Sequence, residues 1–113
     1  MAALQEILQW CNDTLKTPEF KDYAPNGLQI EGKAEVKKIL CAVTASQDAI
    51  DAAIAQQADL LLVHHGYFWK GEPYPITGMR GKRIKALIQH DISLVAYHLP
   101  LDSHPTLGNN AAI

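Results

Sequence analysis

Two short polar segments hold most of the groups in this chain that could do chemistry. His64-His65-Gly66 directly follows the apolar run Leu60 to Val63, and His98-Leu99-Pro100-Leu101-Asp102-Ser103-His104 directly follows Ile92 to Tyr97. Four of the five histidines fall in these segments. Imidazole nitrogen and carboxylate oxygen together suit zinc, iron, manganese or nickel, and two histidines with one carboxylate match both catalytic zinc sites and the facial triad of non-haem iron enzymes. His64, His65 and Asp102 are therefore the candidate metal ligands. His98 could be a further ligand, a hydrogen-bond partner that orients one, or a proton shuttle. Neighbouring residues in extended backbone point to opposite sides, so His64 and His65 are expected to serve two ions a few ångströms apart rather than one. A two-metal centre needs more protein ligands than these segments provide. The bland alternative is that each histidine is a polar loop residue and that Asp102 caps a turn through Ser103 and His104.

The elements that must position these groups are legible from periodicity. Leu4, Ile7, Leu8, Cys11 and Leu15 form one stripe of an amphipathic helix over Ala3 to Lys16, which Thr17-Pro18 closes. Asp22 to Gly32 is turn-rich, with a short strand at Leu28 to Glu31; Asn26-Gly27 reads as a structural turn. Val36 to Thr44 reads as a strand whose nearly continuous apolar half, Ile39 to Val43, predicts cover on both faces. Thr44 with Gln47, or Ser46 alone, caps a helix running to about Gln57, with Ile50, Ala53 and Ile54 inward. Leu60 to Val63 is a second buried strand, a helix around Met79 to His90 packs Ile84, Leu87 and Ile88, and Ile92 to Tyr97 is a third strand. Strand, helix, strand, helix, strand predicts an α/β fold with a mostly parallel sheet and flanking helices. In such sheets ligands bind outside the carboxyl ends of the strands, where both polar segments lie.

Other features read more plainly. His90 ends the third helix, where a positive ring suits the helix dipole. The aromatic run Tyr67-Phe68-Trp69 could wall a pocket for flat bases or lie at a subunit interface. Arg80 with Lys82-Arg83-Ile84-Lys85 reads as a solvated helix face, with a phosphate site as the alternative.

The 113 residues suffice for a single α/β domain over 1–113. A net charge of −2 gives no global attraction to nucleic acid or acidic membranes. The start lacks the basic and apolar segments of a secretion signal, so a cytoplasmic location is expected. Cys11 and Cys41, far apart and without CxxC spacing, read as reduced core residues. Leu107 to Ile113 looks like the beginning of a helix, and the chain is expected to be the front part of a longer protein, truncated at its C-terminus.

The run Tyr23-Ala24-Pro25-Asn26-Gly27-Leu28-Gln29-Ile30-Glu31-Gly32, then Val43-Thr44-Ala45-Ser46, then Val63-His64-His65-Gly66-Tyr67-Phe68-Trp69-Lys70-Gly71, then His98-Leu99-Pro100-Leu101-Asp102, resembles the YbgI-like family, often labelled GTP cyclohydrolase I type 2 homologues. The match spans essentially the whole chain in order. The resemblance implies an α/β fold, here its N-terminal portion, and six subunits in a toroid with paired divalent metals (zinc, iron or manganese) facing the interior. By matching positions, it implies that His64 and Asp102 bind one ion and His65 the other, with His98 beside them for proton transfer. In the family a histidine and a bridging glutamate from near the C-terminus complete the set; this sequence ends at Ile113 without them.

The expected function is a dinuclear-metal hydrolase, with ring opening of a purine nucleotide or hydrolysis of a related nucleotide suggested by the family label. The first alternative is a non-catalytic metal-binding ring scaffold or regulatory protein with a DNA or protein partner. The second is a non-haem iron redox protein using the same ligands.

Overall fold

The computed structural model describes residues 2–15, 26–68 and 75–98. Its elements run β1 (Ala2–Ala3), α1 (Leu4–Leu15), β2 (Gly27–Ile30), β3 (Glu35–Val36), β4 (Ile39–Thr44), α2 (Gln47–Ala55), β5 (Leu60–His65), α3 (Gly78–Gln89) and β6 (Ser93–Ala96). A four-stranded sheet has the order β2-β6-β5-β4, with β4–β5 and β5–β6 parallel and β2 antiparallel at the edge against β6. The α/β reading and its parallel core hold. The two-residue strands β1 and β3 pair separately, Ala2 opposite Val36, and are too short to leave a periodic signal.

Side-chain alternation along the strands divides the interior into two cores. On one face Leu61, Val63, Leu94 and Ala96 pack with Ile50 and Ala53 of α2 and with Ile84 and Leu87 of α3. On the other, Leu60, Val95 and Tyr97 pack with Leu4, Leu8 and Leu15, the stripe of α1. Helix α2 starts at Ser46, whose Oγ accepts the Ala49 N–H at 3.2 Å; Thr44 stays in β4, so Ser46 is the cap. His90 caps α3, with Nδ1 2.9 Å from the Ala86 carbonyl. Ile88 of α3 is exposed rather than packed.

The expected cover of β4 on both faces does not hold. Leu40 and Ala42 pack on the α2 side, but Ile39, Cys41 and Val43 on the α1 side are exposed, Val43 to 70%. The twelve residues of α1 span roughly 18 Å, and the helix lies over β2, β6 and part of β5 without reaching β4. Cys41 is therefore a surface residue, Cys11 is half-buried, and neither is in a disulfide.

Candidate metal centre

The histidines come from the ends of two neighbouring parallel strands. β5 and β6 run in register from Leu60 opposite Ser93 to Val63 opposite Ala96, so both chains leave the sheet at one edge. The Tyr97 N–H extends that ladder to the Val63 carbonyl at 3.0 Å, and the Ala45 N–H reaches the His65 carbonyl at 3.0 Å from the β4 side. The result is a cluster of His64, His65 and His98, each half-buried, whose ligand atoms all lie within 4.8 Å of one another. Ring centroids are 4.3 Å apart for His64–His65, 4.8 Å for His64–His98 and 5.3 Å for His65–His98.

Adjacent strand positions were expected to separate His64 from His65, yet their rings meet edge to face at 71°. The reason lies at the strand end. Beyond Val63 the ladder to β6 stops, and the His64 Nδ1 sits 2.9 Å from the Tyr97 carbonyl, which holds its ring over the end of β6. A carbonyl only accepts, so His64 carries its proton on Nδ1, and Nε2 is the atom that can present a lone pair to a ligand. Tyr97 is itself fixed: it is buried, and its hydroxyl donates to Asn12 Oδ1 of α1 at 2.9 Å. Burial pushes that hydroxyl well above the ordinary phenol range.

Backbone on either side of the cluster is tied to β2. The His98 N–H donates to Asn26 Oδ1 at 2.8 Å, and the Tyr67 N–H donates to Gln29 Oε1 at 3.1 Å. Gly66 lies against Gln29; a Cβ there would collide with the Gln29 side-chain amide. Tyr67 belongs to the protein's own core, not to a pocket wall or interface. Its hydroxyl donates to the Ala45 carbonyl, and burial raises it to about 12. Phe68 packs on the same core, with the Arg80 guanidinium 5.0 Å above its ring and Arg80 Nε donating to the Tyr67 carbonyl at 3.3 Å. Arg80 thus leaves the expected solvated face, on which Lys82 and Lys85 remain exposed.

Three imidazoles converging at a sheet's carboxyl edge, one with its second nitrogen fixed by a carbonyl, fit a divalent transition metal. The donors are of the borderline type that zinc, iron and manganese accept, and a carbonyl-bound Nδ1–H is the usual support of a ligating histidine. His64, His65 and His98 are brought together as the sequence suggests; Asp102 lies outside the described residues, as do Trp69 and the segment from Leu107 to Ile113. Asn12 has no sequence signal, and Asn26 and Gln29 are read from sequence only as part of a turn and of the run that carries the family resemblance, with no role at the site. Asn26-Gly27 signals a turn, and an amide's distant partner leaves no local pattern.

A mixed α/β sheet with a histidine cluster at its carboxyl edge defines the class. The chain belongs to the Duf34/NIF3 (NGG1p interacting factor 3) family, whose profile matches residues 2–113. A relative from Neisseria meningitidis serogroup B, named GTP cyclohydrolase 1 type 2 homolog, is 59% identical over 113 residues, all of this chain and 45% of its own length. One of the same name from Vibrio cholerae is 64% identical over 102 residues, 90% of this chain and 40% of its own. Among solved structures, a protein described as ybgI, of unknown function, superimposes with a TM-score of 0.95 at 53% identity over 97% of this chain and 44% of that one. TTHA1606 from Thermus thermophilus does so at 0.90 and 39% identity, over 96% of this chain and 45% of that one. The chain thus spans less than half the length of the relatives it matches. Among the described residues no helix is long and apolar enough to cross a membrane.

Proposed function

We propose that this chain supplies one side of a dinuclear metal centre for hydrolysis of a purine nucleotide or a related nucleotide. The observation that carries the reading is the convergence of His64, His65 and His98 on one small volume. The names of the curated relatives point to the nucleotide class. His64, oriented by the Tyr97 carbonyl, and Asp102 hold one ion in this reading, and His65 the other. In this reading His98, whose ring centroid lies 4.8 Å from that of His64 and 5.3 Å from that of His65, moves a proton beside them. The ions, when bound, supply Lewis acidity toward substrate and water. In this reading six subunits close into a ring with the clusters facing inward, in the cytoplasm.

The test is turnover of GTP by the purified chain with added manganese or zinc, followed by chromatography, alongside metal analysis. Stoichiometric metal with turnover that His65→Ala abolishes is the expected result. Metal bound without turnover of any purine nucleotide overturns the hydrolase and leaves a binding scaffold. Absence of metal at stoichiometric loading overturns the centre itself.

A further inference from the structure

Strand β2 and the residue just before it contribute no imidazole, yet the backbone beside both histidine positions is fastened to them. The two fasteners are side-chain amides acting over long sequence separations: Asn26 to the backbone of His98, 72 residues away, and Gln29 to the backbone of Tyr67, 38 residues away. Local backbone irregularity sets up each one. Asn26 stands before Gly27, whose φ of +108° lies in the left-handed region that only glycine adopts without strain. Gln29 sits where the β2–β6 register shifts between Leu28 and Ile30, an irregularity at a sheet edge of the sort that re-aims a side chain beside a site. Its amide then occupies the space left by the missing side chain of Gly66, the residue between His65 and Tyr67.

We infer that Asn26 and Gln29 are positioning residues that brace the His98 loop and the His65-Gly66-Tyr67 turn, holding the His98 ring beside the ligating rings of His64 and His65 at the spacing the two-ion centre needs; this rests on the reading of the cluster as a metal centre. Both amides accept from backbone N–H groups, so each fixes where the chain runs beside the cluster. A regular β2 would pair with β6 equally well but would not set the two loops against each other. The amides therefore act on the distance between His98 and the pair His64 and His65.

The experiment compares the whole chain with Asn26→Ala, Gln29→Ala, Asn26→Asp and Gln29→Glu. The acidic variants keep an oxygen to accept the same N–H. Zinc affinity is measured by chelator competition, ring contacts between His98 and His64 or His65 by nuclear Overhauser effects on the metal-free protein, and folding by thermal melting. The alanine variants are expected to weaken zinc by about tenfold or more, the range seen when groups supporting metal ligands are lost. They should also lose the ring-to-ring effects while melting as cooperatively as the parent. The acidic variants should restore both. Unchanged ring contacts in the alanine variants overturn the inference, as does a lower melting temperature with zinc affinity intact. If the parent binds no zinc, the metal reading falls and the ring contacts alone decide whether β2 braces the loops.

Discussion

Tyr97 serves the site and the fold through different atoms. Its carbonyl accepts from His64 Nδ1, while its hydroxyl donates to Asn12 of α1. Tyr97→Phe removes the second bond, and the hydroxyl's interaction with Cys11 of the same helix, but leaves the first. It leaves the Asn12 oxygen without that donor, a loss of about 0.5–1.5 kcal/mol in unfolding free energy. Chemical denaturation should show that fall, and zinc affinity should not move, because the backbone carbonyl is retained. A drop in affinity comparable with that of His64→Ala would show that α1 helps set the cluster, contrary to the separation seen here. Asp59, at the opposite edge of the sheet, gives a pH signature of its own. It is buried; its carboxylate accepts the Lys37 and Lys38 N–H groups at 2.9 and 3.2 Å and pairs with Lys33 Nζ at 3.2 Å. The Lys37 N–H chiefly, against the cost of burial, holds its carboxyl below the usual 3.8. A carboxyl held low when folded contributes stability above its unfolded value, and that contribution is lost as pH falls through the folded value. Stability should therefore decline below about pH 4, and Asp59→Asn should be less stable at neutral pH with a shallower acid limb. Equal acid limbs in parent and variant would show that Asp59 is not the group responsible.

At the scale of elements, β4 and β5 differ in what their apolar residues do. Leu61 is fully buried between α2 and α3, so Leu61→Ala should cost about 2–5 kcal/mol. Val43 is 70% exposed on the α1 side, so Val43→Thr should stay within about 0.5 kcal/mol. Urea denaturation of the two variants checks the contrast, and a large loss at Val43 would mean that its face is covered in solution. The same contrast explains what sequence could and could not show. The order of strands and helices follows from apolar spacing, and neighbouring parallel strands then bring the ends of β5 and β6 to one edge; that is why the histidine cluster was legible. The run Ile39 to Val43 shows that β4 is apolar but not which of its faces a twelve-residue helix reaches. The meeting of His64 with His65 depends on where the β6 ladder stops, one residue short of the pair, and strand alternation alone cannot show that.

For the molecule as a whole, a metal centre built from two loops should couple ligand binding to folding. The His64 ring bonds to the Tyr97 carbonyl, and the backbone N–H groups of His98 and Tyr67 donate to the amides of Asn26 and Gln29; these long-range bonds form only when β2 and the sheet are assembled, so the unfolded chain lacks the arrangement. An ion that prefers the folded state stabilises it by RT ln(1 + [L]/Kd), about 2.7 kcal/mol at one hundred times Kd, less whatever binds unfolded histidine and cysteine. For a domain of this size that corresponds to a rise in Tm of roughly 8–15 °C. Melting followed with zinc and with chelator should show the rise in the parent and its reversal on chelation. His64→Ala and His65→Ala, at half-buried positions, should melt near the metal-free parent and lose most of the metal-dependent increment. If zinc raises Tm equally in parent and variants, the ion binds elsewhere, and the histidine edge is polar surface rather than a centre.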